Sequence, residues 1–212
     1  MLSQVAPNED VVFFRPQHFV ARENESPAAV LHLLEGWACR FRMLADGRRQ
    51  ITALYLPGEC CDPSWILGRL PTQPVIALTI VRAVQLPCRL PVGPQGENEH
   101  KLLRSLADSC ERQASWQVSL GRKTALERIA HLLLELFERM RGAGLAYGQQ
   151  CALPLTQMDI ADVTGLTPVH VNRTLQSLRS KGLLDLQSKW LRILDLGGLR
   201  RAAALAPDEM LI

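Results

Sequence analysis

Between Leu155 and Gly182 the chain reads Leu-Thr-Gln-Met-Asp-Ile-Ala-Asp-Val-Thr-Gly-Leu-Thr-Pro-Val-His-Val-Asn-Arg-Thr-Leu-Gln-Ser-Leu-Arg-Ser-Lys-Gly, and no other stretch limits the fold so sharply. Thr156 is placed to cap a short helix that buries Ile160, Ala161 and Val163, and Gly165 suits the tight turn that ends it. Thr167 then caps a second helix with Pro168 at its first position, where a missing N–H costs nothing. Val171, Leu175 and Leu178 recur at spacings of four and three and form its buried stripe. The other face carries His170, Asn172, Arg173, Gln176 and Arg179.

This pattern predicts a DNA-binding helix-turn-helix. From Thr167 to Gly182 there is no carboxylate, while Arg173, Arg179 and Lys181 are positive, as a helix entering a polyanionic groove requires. Arginine pairs bidentately with guanine edges, and asparagine and glutamine with adenine edges. Leu183–Gln187 and Trp190–Leu194 read as two short strands around a Ser188-Lys189 turn, which makes a wing after the second helix.

The chain has 212 residues and a formal net charge of +3, so it is no basic nucleic-acid coat, and DNA affinity has to come from local placement of charge. From Cys151 onward seven Lys/Arg face six Asp/Glu, yet the second helix of the motif alone carries three of those cations. The start of the chain has no basic segment followed by an apolar run, and no segment reaches the roughly eighteen apolar residues of a membrane span. The expectation is a cytoplasmic protein that does not enter membranes.

From Val11 to Leu90 short apolar runs alternate with Pro and Gly, as in Val11–Phe14, Ala28–Leu34 and Ile51–Leu56, which predicts a compact all-β unit with turns at Gly36, Gly47 and Pro57-Gly58. Glu97 to Gly121 lacks proline and places Leu103, Leu106, Cys110, Gln113, Gln117 and Leu120 at alternating spacings of three and four, a coiled-coil seam with polar positions that fix register. The same stripe lying on its own β unit is the alternative. Arg122-Lys123-Thr124 marks a hinge into a further helix, Ala125 to Arg141, with Leu126, Ile129, Leu133, Leu136, Phe137 and Met140 facing inward.

Residues from about Lys123 to Leu194 resemble the winged-helix module of the Crp/Fnr transcription regulators, most specifically across Gly165-Leu-Thr-Pro-Val-His-Val-Asn-Arg173. Leu34–Arg42, Asp46-Gly-Arg and Leu56-Pro-Gly-Glu59 resemble the β-roll sensor of the same family, which extends the likeness over nearly the whole chain. The resemblance implies an α+β fold: a jelly-roll-like β-roll over residues 1–96, a dimerisation helix over 97–121, and a winged helix-turn-helix over 122–212.

It further implies a homodimer on palindromic double-stranded DNA, with RNA polymerase as a further partner and a bacterial setting. Thr156 and Gln157 would meet phosphate, and Thr167, Pro168, Val169, His170, Asn172, Arg173 and Gln176 would face the groove, Arg173 at the family's base-reading position. Lys189 at the wing tip joins this set. Val169 stands where well-known members carry glutamate. Valine offers a base edge only apolar contact, such as with a thymine methyl, so the half-site is expected to differ.

Family members that take cyclic nucleotides present a Gly-Glu pair for the ribose and an Arg-Ser or Arg-Thr pair for the phosphate. Cys61-Asp62-Pro63-Ser64 and Thr72-Gln73-Pro74 occupy that region here, so standard cyclic AMP binding is not expected. The iron–sulfur members need several N-terminal cysteines, and the first cysteine here is Cys39. His18 and His32, in predicted strands, and His100, His131 and His170 are dispersed without metal spacing, so no cofactor or metal is expected, and the effector is not written in the chain.

Cys110 on the seam and Cys151 before the helix-turn-helix are candidates for redox regulation, Cys151 from a place near phosphate, with buried inert thiols as the alternative for these and for Cys39, Cys60, Cys61 and Cys88. No hydrolase, Walker-type or zinc-protease motif accompanies the thiols, so an enzyme is not expected. A ligand-binding or protein-interaction module with a purely structural winged helix is the alternative function.

Overall fold

The computed structural model describes residues 11–87, 97–206 and 211. They divide into two compact units, residues 1–111 and 112–212. Cys88 lies outside the described residues.

The first unit holds two four-stranded antiparallel sheets. Strands β1 (Val11–Phe14), β3 (Ala29–Glu35), β6 (Cys60–Cys61) and β8 (Val81–Pro87) form one, in the order β1-β8-β3-β6. Strands β2 (Phe19–Ala21), β4 (Ala38–Met43), β5 (Arg49–Tyr55) and β7 (Val75–Ala77) form the other, in the order β2-β7-β4-β5. Their core takes Val30, Leu31 and Leu33 from one sheet and Ala38, Val75 and Ala77 from the other, with Trp65 from a 3-10 turn. The apolar runs of the sequence thus become buried strands, as β3 with its almost continuous burial illustrates.

Gly36 shows why the β3–β4 turn needs glycine: its φ is +84°, and an added Cβ would stand 2.0 Å from the carbonyl oxygen of Ile80. His18 precedes β2 and is not in a strand, contrary to expectation, because Arg15 to His18 turn the chain between β1 and β2.

Helix α1 (Glu97–Arg122) buries Leu102 in the core of the first unit. Leu103, Cys110, Gln113, Gln117 and Leu120 of the expected seam are exposed and Leu106 is half-buried.

In the second unit, α2 (Ala125–Gly142) begins at a capping box: Glu127 N–H donates to Thr124 Oγ1, and Thr124 N–H donates to Glu127 Oε2. Ile129, Leu133, Leu136, Phe137 and Met140 are buried as predicted, and Leu126 is half-buried.

His131 and Glu135 of α2 are buried too, against the C-terminal half of α1. Trp116 Nε1 donates to Glu135 Oε2 at 2.5 Å, Arg139 Nη1 donates to Glu135 Oε1 at 2.8 Å, and Ser115 Oγ lies 3.3 Å from His131 Nε2. Desolvation drives the Glu135 carboxyl above the usual glutamate range, against the pull of Arg139 and Trp116.

Candidate nucleic-acid interface

Helix α3 (Gln157–Thr164) starts at a second capping box, in which Asp159 N–H donates to Thr156 Oγ1 at 3.1 Å and Thr156 N–H donates to Asp159 Oδ2 at 2.9 Å. The sequence marked Thr156 as the cap but not Asp159 as its partner. Ile160, Ala161 and Val163 are buried, and Gly165 ends the helix at φ +65°.

Helix α4 (Pro168–Ser180) is capped by Thr167, whose Oγ1 accepts from His170 N–H at 3.3 Å. Val171, Leu175 and Leu178 are buried. That burial turns His170, Asn172, Arg173 and Gln176 outward, all exposed, with Val169 at 60% exposure beside them and Pro168 half-buried. Thr156, Gln157 and Thr167 are exposed as well. Apart from half-buried Pro168, the expected contact residues of α3 and α4 are therefore open to solvent.

Arg128 of α2 anchors the motif from behind. Its Nη1 donates to the carbonyl of Thr164 at 2.6 Å, and its Nη2 donates to the carbonyls of Leu120 and Lys123, both at 3.1 Å. One guanidinium thereby ties the end of α3 to the end of α1 and the hinge, using acceptors that helix ends leave open.

The wing is larger than predicted. Strands β11 (Leu184–Gln187) and β12 (Trp190–Ile193) appear where expected, but β12 also pairs with β10 (Gln150–Ala152), which pairs with β9 (Ala146–Tyr147), giving the order β11-β12-β10-β9. A further helix, α5 (Leu196–Ala202), follows; the sequence reading missed it along with β9 and β10.

Ser188 and Lys189 form the two-residue turn of the wing with φ of +49° and +65°. Both positive values fit the twist of a tight hairpin, although neither residue is glycine. Lys189 is exposed at the tip.

Cys151 departs from the expectation of a thiol near phosphate. It is the central residue of β10, opposite Leu191, and fully buried, and desolvation raises its thiol pKa to about 11. Such a thiol carries little thiolate and is poorly placed for oxidation. Cys110, by contrast, is exposed on α1.

In the first unit, side chains of the region expected to lack nucleotide-binding pairs bond to one another and to their neighbours. Arg40 Nη1 donates to Asp62 Oδ2 at 2.8 Å, Ser64 Oγ donates to Asp62 Oδ1 at 2.5 Å, and Thr52 Oγ1 donates to Gln73 Oε1 at 2.5 Å. A cyclic phosphate seated here would meet a carboxylate, and the nearby arginine is already engaged by it. These residues do not fit a cyclic nucleotide. Among the described residues no group of three or more His, Cys, Asp or Glu is arranged to hold a metal ion, and no helix is long and apolar enough to cross a membrane.

Comparison with known proteins matches residues 127–202 to the Crp-like helix-turn-helix domain and residues 11–89 to the cyclic nucleotide-binding domain. The chain is 30% identical over 202 residues to the nitrogen fixation regulation protein FixK of Bradyrhizobium diazoefficiens, covering 91% of this chain and 81% of that protein. It is 31% identical over 153 residues to FixK of Rhizobium meliloti, where the match takes in 69% of this chain and 64% of the relative, less than two thirds of its length. Among solved structures it resembles FixK2 from Bradyrhizobium japonicum, with a TM-score of 0.78 and 25% identity over 93% of this chain and 98% of that one.

Proposed function

Because the chain belongs to the Crp/Fnr family of transcription regulators, we propose that it is a homodimeric, sequence-specific DNA-binding regulator whose helix α4 enters the major groove of a palindromic site. The observation that carries this reading is the outer face of α4: His170, Asn172, Arg173 and Gln176 exposed together on a helix whose inner face is locked by Val171, Leu175 and Leu178. Arg173 reads a guanine edge, Asn172 and Gln176 are matched to adenine edges, and Val169 makes an apolar contact. Thr156, Gln157 and Lys189 hold phosphates and set the register without reading sequence.

The exposed α1 stripe from Leu103 to Leu120 pairs across a two-fold axis, setting two recognition helices about one helical turn, roughly 34 Å, apart. RNA polymerase is assigned as the further partner from the family's mode of action. A cytoplasmic location follows from the same role.

Selection of binding sites from a random duplex pool tests the proposal. The expected result is an inverted repeat whose two halves are centred about 10 base pairs apart. Enrichment of no motif, with equal affinity for every duplex, overturns it.

A further inference from the structure

We infer that Arg179 is a positioning residue that latches the wing to the recognition helix and acts on DNA only through Lys189 at the wing tip. This rests on the DNA-binding reading above. By charge alone Arg179 belongs with Arg173 on α4 and Lys181 just past its end as a cation available to phosphate. Its geometry commits it elsewhere.

Arg179 sits in the last turn of α4, and its Nη2 donates to the carbonyl of Leu186 on β11. Its Nε lies 3.8 Å from Oδ1 of Asp185, the neighbouring residue of the same strand. The chain brings these groups together by a short return: Gly182 takes φ +67°, and Leu183 N–H donates to Leu178 O at 3.1 Å, so β11 starts back beside the final turn of the helix. A planar guanidinium with several donors can serve a carbonyl and a carboxylate at once, which a lysine ammonium does with less directional hold.

The wing has a specific need for such a tether. β11 is an edge strand of its sheet, with β12 as its neighbouring strand. The hairpin joining them turns through Ser188 and Lys189, two non-glycine residues in the left-handed region, which L side chains adopt only at a cost in backbone strain. Leu186 is opposite Leu191 and Gln187 opposite Trp190, so the bond to Leu186 lies three residues from Lys189. Fixing that carbonyl to α4 fixes where the Lys189 ammonium stands relative to the helix that reads bases.

The test is a double-mutant cycle read as affinity for the selected palindrome at one fixed salt concentration. Arg179→Ala and Lys189→Ala are each expected to weaken binding about three- to tenfold, and the double variant no more than the worse single. Additive losses, or an unchanged Arg179→Ala, overturn the inference. Arg179→Lys keeps the charge and loses the fork, so it is expected to behave as Arg179→Ala; wild-type affinity in that variant identifies a phosphate contact and overturns the latch.

In the DNA-free protein, hydrogen exchange of the β11 amides is expected to quicken in Arg179→Ala. Unchanged protection overturns the latch whatever the protein does with DNA. A wild-type protein without sequence preference overturns the proposed function instead, and the exchange measurement then decides the latch by itself.

Discussion

Arg40 on β4 donates to Asp62 across 2.8 Å, with the two side chains only 16% and 9% exposed, and Asp62 belongs to the Cys61–Ser64 segment that the family resemblance aligns with nucleotide-contacting residues. An anionic ligand brought beside Arg40 would meet the Asp62 carboxylate that already engages it. Calorimetric titration with cyclic AMP is therefore expected to show no saturable heat, and micromolar stoichiometric binding contradicts this. Asp62→Ala leaves a largely buried guanidinium without its carboxylate and is expected to cost about 3 kcal/mol in denaturant unfolding.

Glu135 gives stability a pH dependence of definite sign. Burial raises its folded-state pKa above the unfolded value of about 4.5, so folding takes up a proton in the window above that value. Its contribution is present at low pH and is lost as pH rises through the window. The difference in urea midpoint between the wild type and Glu135→Gln is expected to shift against the wild type from about pH 4.5 upward. A difference constant with pH contradicts the assignment.

The cap that Thr156 makes and the phosphate contact proposed for it separate by substitution. Thr156→Ala removes the α3 cap and is expected to cost about 1 kcal/mol of stability, while Thr156→Ser retains it. Gln157 makes no capping bond, so Gln157→Ala is expected to leave the melting temperature within about a degree and to weaken all DNA sequences alike. Thermal melts paired with anisotropy on specific and scrambled duplexes check both.

The wing turn trades stability for a cation. Replacing Ser188-Lys189 with Asn-Gly, the pair that best accepts two positive φ values, is expected to stabilise the protein by roughly 1 kcal/mol while lowering DNA affinity and the steepness of its salt dependence. Unchanged affinity in that variant removes Lys189 from the interface.

Much of this was legible in the chain because it is local. Thr156, Gly165, Thr167 and Pro168 punctuate α3 and α4, and the spacing of Val171, Leu175 and Leu178 decides which face of α4 is left for DNA. What escaped depends on partners distant in sequence. Strands β9 and β10 have two and three residues, too few for periodicity, and exist because Cys151 pairs with Leu191 across the sheet. That pairing also buries the Cys151 thiol, which sequence proximity had set beside DNA. Helix α5 begins Leu-Gly-Gly, a poor helix-forming start, and relies on the Asp195 cap, whose Oδ1 accepts from Gly198 N–H at 2.8 Å. The tie of Arg179 to Asp185 and Leu186 was hidden because charge counts alone do not say where an arginine points.

The central claim is that α4 reads sequence through Arg173. Fluorescence anisotropy at fixed salt, with the wild type and Arg173→Ala on the selected palindrome and on a scrambled duplex, tests it most directly. The wild type is expected to prefer the palindrome by about a thousandfold or more, and Arg173→Ala to lose roughly 1 to 3 kcal/mol of that preference per half-site while retaining non-specific binding. Equal wild-type affinity for the two duplexes, or an Arg173→Ala preference equal to that of the wild type, contradicts it.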